Sequence, residues 1–78
     1  MPSLFRIDGL SGYIFDEKGG QHNNPHIHVY YAEYQAEVYF DGSIKSGDLP
    51  KSQLNKVRQW LRSGGKKKAI KKWRELNT

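Results

Sequence analysis

Apolar and polar side chains alternate most regularly in two adjacent stretches. In His26–Tyr31, Ile27, Val29 and Tyr31 share one face, and in the run from Tyr34 to Phe40, so do Tyr34, Ala36, Val38 and Phe40. Joined through Ala32-Glu33, the two stretches form a hairpin that pairs Tyr31 with Tyr34, Val29 with Ala36 and Ile27 with Val38. A one-residue slip would set apolar groups against polar ones, so this register is favoured. On the opposite face it places His28 across from Glu37 and His26 across from Tyr39.

Leu4–Ile7 and Tyr13–Phe15, separated by Gly9 and Gly12, predict two further strands. Residues 16–25, with paired glycines, paired asparagines and Pro25, predict a loop. Asp41-Gly42 marks a turn leading to a short edge strand at Ile44–Ser46. Pro50 fits the first turn of a helix, with Asp48 or Leu49 near its cap. Leu54, Val57, Trp60 and Leu61 form an amphipathic stripe, and Ser63-Gly64-Gly65 ends it. A second helix follows through roughly Lys66–Leu76, with its stripe at Ala69, Ile70, Trp73 and Leu76. The predicted fold is α+β: an antiparallel β-meander of four to five strands over residues 1–46, then two short helices over 48–77, packed on one sheet face. The 78 residues make a single domain.

Composition narrows the chemistry. There is no cysteine, hence neither a disulfide nor a thiolate nucleophile or zinc ligand. The apolar runs fall short of the roughly 18–20 residues of a membrane span, and MPSLFRIDGL lacks the pattern of a signal peptide. A cytoplasmic protein without a membrane partner is expected. Charge is uneven: residues 1–50 carry three basic and seven acidic groups, whereas residues 51–78 carry ten basic groups and one acid, Glu75. The halves, at −4 and +9, account for the net +5 and point to a polyanion or an acidic protein as partner.

Two constellations carry candidate chemistry. In HNNPHIHV, His26 and His28 share a strand face, and His22 enters from the loop. Such imidazoles serve as general acid and base on a phosphodiester, with Glu37 orienting His28. His-x-His on a strand also suits a transition metal, but with no cysteine and few nearby carboxylates to complete a shell, the leading expectation includes no metal and no cofactor. The plainer reading is a polar outer strand face beside turn residues. In the second constellation, Lys66, Lys67, Lys71, Lys72 and Arg74 line the last helix, and Arg58 and Arg62 add charge from the one before. A solvated helix face normally mixes signs; this one is almost wholly positive, as contact with a phosphate backbone requires, although such contact reads no sequence. Tyr30 and Tyr39 lie on the histidine face, where aromatics either stack on bases or pack across strands. No Gly-rich nucleotide loop, Ser-His-Asp order or catalytic carboxylate pair is visible.

MPSLFRIDG, HNNPHIHV and the GDLP-to-Trp60 helix followed by Trp73 together resemble the bacterial family catalogued as domain of unknown function 4160. The match to its His-Asn-x-Pro-His-x-His box falls on His22, Asn23, Pro25, His26 and His28. Many members have a more acidic second helix and a further C-terminal segment, so the basic patch departs from the family pattern and the histidine box is the better guide to shared function. The resemblance implies a two-gene setting like a toxin–antitoxin module, with a small cognate partner protein. It supplies no mechanism. The leading expectation is therefore a small nucleic-acid-directed protein of such a module, acting on RNA. Its basic helices would hold the backbone and His22, His26, His28 and Glu37 would meet the nucleotide. The residues leave catalysis open; an enzyme of this kind would be a metal-independent ribonuclease. The alternative is a binding module without catalysis, and a metal-binding protein is the third reading.

Overall fold

The computed structural model of the chain describes residues 3–15 and 25–77. Five strands follow one another as an antiparallel meander in a single sheet: β1 (Phe5–Ile7), β2 (Leu10–Tyr13), β3 (His26–Tyr31), β4 (Tyr34–Tyr39) and β5 (Ile44–Asp48). Two helices complete the α+β fold, α1 (Lys51–Trp60) and α2 (Lys66–Asn77). The β3–β4 register is the one that apolar pairing favours, with Val29 beside Ala36, His28 beside Glu37 and His26 beside Tyr39. The loop expected at 16–25, and with it His22, lies outside the described residues except for Pro25.

The first hairpin differs from the expectation. β2 begins at Leu10 and ends at Tyr13, so Gly12 lies inside a strand and Phe15 beyond it. Gly12 acts as a space-maker rather than a breaker: the Phe5 ring from β1 occupies the place where its Cβ would stand. The turn is Asp8-Gly9, both with positive φ. β5 also runs two residues past Ser46, to Asp48. Consequently Asp48 belongs to the sheet, and Pro50, at φ −55° and ψ 142°, is the residue that caps α1. It does so through its carbonyl, which accepts from the Gln53 and Leu54 amides at 2.9 and 3.0 Å, with no side-chain cap.

The helical stripes pack where the periodicity places them except at Ile70, which is half-buried and lines a surface hollow with Lys67, Lys71 and Arg74. Leu54, Val57, Leu61 and Ala69 are buried against Ile27, Val29, Ala36 and Val38 of the central strands. Each leucine, isoleucine or valine so removed from water contributes about 1.5–3 kcal/mol, and each alanine less. Trp60 lies 4.5 Å from the Phe5 ring and covers the buried Gly65. The two helices run into each other through Leu61–Gly65, where Ser63 and Gly64 leave helical backbone geometry and Gly64 adopts φ +106°. That kink sets the course of α2, which carries Trp73 to within 6.4 Å of Phe40, ring to ring.

Candidate functional site

The site is built by the β3–β4 ladder. Because His28 is paired with Glu37 and His26 stands two residues along the same strand, both imidazoles reach one carboxylate. Glu37 Oε1 is 3.3 Å from His26 Nε2 and 3.7 Å from His28 Nδ1. The other oxygen, Oε2, accepts a hydrogen bond from the Ser46 hydroxyl of β5 and lies 3.7 Å from Lys45 Nζ. Both contacts follow from the β4–β5 register. Ser46 pairs with Glu37, and a shift between Glu37 and Val38 leaves Lys45 unmatched in the ladder. The Ser46 hydrogen bond holds the Glu37 carboxyl below its ordinary range; burial opposes it, and the electrostatic influence of Lys45, then of His26 and His28, reinforces it.

The two histidines differ in setting. His26 is 1% exposed, with the Trp73 ring 5.7 Å away and the His28 ring 5.0 Å away. The sequence expectation of two imidazoles displayed on an outer face holds only for His28, which is half-buried. The reason is tertiary: strand alternation turns His26 away from Ile27, and α2 then brings Trp73 against it. Phe15 meets His28 edge-on at 4.5 Å, and Tyr13 contacts Tyr30 edge-on at 5.7 Å, so cross-strand aromatic packing continues the wall. His28, Glu37, Tyr30, Gln35 and Ser46 line an open cavity of about 330 Å³, near the lower limit for small-ligand sites. His28 and Glu37 therefore face the cavity, and His26 stands behind them.

The basic residues divide into groups. Lys66, Lys67, Lys68, Lys71 and Arg74 of α2 are exposed, as is Arg62. Lys72 is half-buried, 4.0 Å from Glu75. Arg58 is committed elsewhere: its Nε donates to the Gly42 carbonyl at 2.9 Å and ties α1 to the β4–β5 turn. Sequence reasoning missed Ser46, Lys45, Phe15 and Trp73 as neighbours of the histidines. None of them left a simple signal: without the register shift, continuing the Val38–Ile44 pairing would set Lys45, not Ser46, opposite Glu37.

Fold and site together define a small α+β meander with a strand-borne histidine–glutamate cluster, flanked by a basic helix. The model of the family described as Domain of unknown function (DUF4160) matches residues 9–74, most of the chain, and the chain belongs to that family. Neither curated proteins nor solved structures give a match. Among the described residues, no helix is long and apolar enough to cross a membrane.

Proposed function

We propose that this protein binds nucleic acid, with RNA as the target, as one component of a toxin–antitoxin-like pair in the cytoplasm. The observation that carries the reading is the junction of charge and site on one helix. α2 exposes Lys66, Lys67, Lys71 and Arg74 to solvent, while Trp73 of the same helix lies 5.7 Å from His26. In this reading the exposed cations of α2 hold the backbone, and the cavity over His28 and Glu37 is where a nucleotide is met. The two-gene setting comes from the family resemblance, and a small cognate protein is the partner it implies.

The test is binding of single-stranded and duplex RNA and DNA across a salt series. Affinity should fall with a log–log slope of about 0.7–0.9 per phosphate neutralised. Replacing Lys67, Lys71 and Arg74 together by Gln should flatten that slope with the fold intact; an unchanged slope removes α2 from the interface. The second reading, binding without catalysis, is favoured by the burial of His26. Acid–base catalysis by two imidazoles needs both to reach the phosphodiester, and of these two only His28 borders the cavity. If His28→Ala keeps both the cellular effect and the affinity, the protein is a binding module.

A further inference from the structure

We propose that His26, His28 and Glu37 form a binding site for one divalent transition-metal ion of the zinc type, open towards the cavity. One ligand atom from each residue lies within 4.8 Å of the other two. Zinc held by imidazole nitrogen and carboxylate oxygen at about 2.0–2.2 Å, at tetrahedral angles, sets neighbouring donors roughly 3.3 Å apart. His26 Nε2 and Glu37 Oε1 already stand at 3.3 Å, and His28 Nδ1 is 3.7 Å from the same oxygen. Closing the remaining gap takes a movement of about 1.5 Å or less, within reach of rotation of the less buried ring, His28. The carboxylate that the histidine box lacks in sequence comes from the next strand.

The surroundings are those of a supported ligand set. Ser46 engages Glu37 through Oε2 and leaves Oε1 aimed at the imidazoles, as outer contacts do for metal-bound carboxylates. Trp73 packs beside His26, and Phe15 packs edge-on against His28. Two imidazoles and one carboxylate select zinc-like ions over magnesium and calcium, which prefer oxygen throughout. With three protein ligands, a fourth position remains on the side of Tyr30, Gln35 and Ser46, where water or a substrate atom enters. Lys45 opposes the ion electrostatically, but its Nζ approaches Oε2 rather than Oε1.

The experiment titrates the chelator-stripped full chain with Zn²⁺ by calorimetry and with Co²⁺ by visible absorption. One ion should bind per chain, and cobalt should give the intense visible bands of a four-coordinate site. His28→Ala and Glu37→Gln should each weaken zinc binding by at least about tenfold, and Ser46→Ala by about tenfold. Lys45→Gln should tighten it, and Asp41→Asn, on the far turn, should leave it unchanged. His28 is half-buried, so His28→Ala gives a folded variant even if replacement of His26 does not. The proposal is overturned if the wild type takes up no stoichiometric zinc, the trio then being a histidine–carboxylate cluster without a metal role. It is equally overturned if His28→Ala and Glu37→Gln bind zinc as the wild type does. No nucleic acid is present, so the result stands apart from the RNA reading: the salt slope can fail while zinc uptake holds, and the converse.

Discussion

His26 Nε2 stands 3.3 Å from Glu37 Oε1 while His26 itself is 1% exposed, so a buried imidazole depends on a carboxylate carried by the neighbouring strand. His28 shares that carboxylate but borders the cavity. The two histidines should therefore differ in what they contribute to stability. In metal-free protein, His26→Ala empties a large buried site and should cost about 3 kcal/mol. His28→Ala should cost about 1 kcal/mol or less. Urea midpoints at unchanged slope measure both. Equal losses would contradict the inner and outer placement.

The carboxylate is held in turn by β5, and β5 lies close to β4 because of Gly47. This residue has φ +81°, and a Cβ there would strike the Gln35 carbonyl oxygen and stand 2.8 Å from the Ala36 Cα. Gly47→Ala should cost more than about 2 kcal/mol, from backbone strain together with the clash. It should also loosen the hold of Ser46 on Glu37. Gly64 makes the comparison: its φ is +106°, but nothing lies within 4 Å of a Cβ built there. Gly64→Ala should therefore cost only the conformational part, about 1–2 kcal/mol. If thermal melts rank the two the other way, close approach of β5 is not what Gly47 provides.

How much of this was legible in the sequence depends on whether the contact is periodic. The β3–β4 register could be read because a slip would bring polar groups opposite Ile27, Val29 and Tyr31, and with the register came His28 opposite Glu37. The helical stripes could be read for the same reason. The burial of His26 could not, because it depends on where the kink at Gly64 sends Trp73, and no spacing encodes that direction. β2 was misplaced because Gly12 has the same letter whether it breaks a strand or makes room for Phe5. The part of Ser46 was hidden by the shifted register of β5, which a simple pairing rule does not anticipate.

The β4–β5 turn should titrate. Asp41 Oδ1 accepts from the Ser43 hydroxyl at 2.6 Å and from the Ser43 amide at 2.8 Å. The hydroxyl chiefly, then the amide, lower the pKa of this exposed carboxyl. A group with a lowered folded pKa adds stability above its unfolded value, near 3.9, and loses that contribution as the pH falls through the folded one. The stability difference between wild type and Asp41→Asn should thus be constant at neutral pH and shrink below about pH 4. Denaturation midpoints across that range measure it; a difference that grew on acidification would reverse the sign and remove the turn from the acid response.

Arg58 and Lys71 should separate folding from binding. Both belong to the basic C-terminal portion, yet Arg58 Nε donates to the Gly42 carbonyl while Lys71 is exposed on α2. A charged donor on a partly buried carbonyl is worth about 1.5–3 kcal/mol, so Arg58→Ala should lower stability by an amount of that order. It should change the salt slope of RNA binding little, because the guanidinium is already engaged at the turn. Lys71→Ala should do the opposite, with stability altered by about 0.5 kcal/mol or less and the slope reduced by roughly 0.7–0.9. Urea denaturation and a salt series on the same two variants give all four values. If Arg58→Ala leaves stability intact and lowers the slope as Lys71→Ala does, the guanidinium exchanges Gly42 for phosphate on binding, and the interface extends from α2 onto α1.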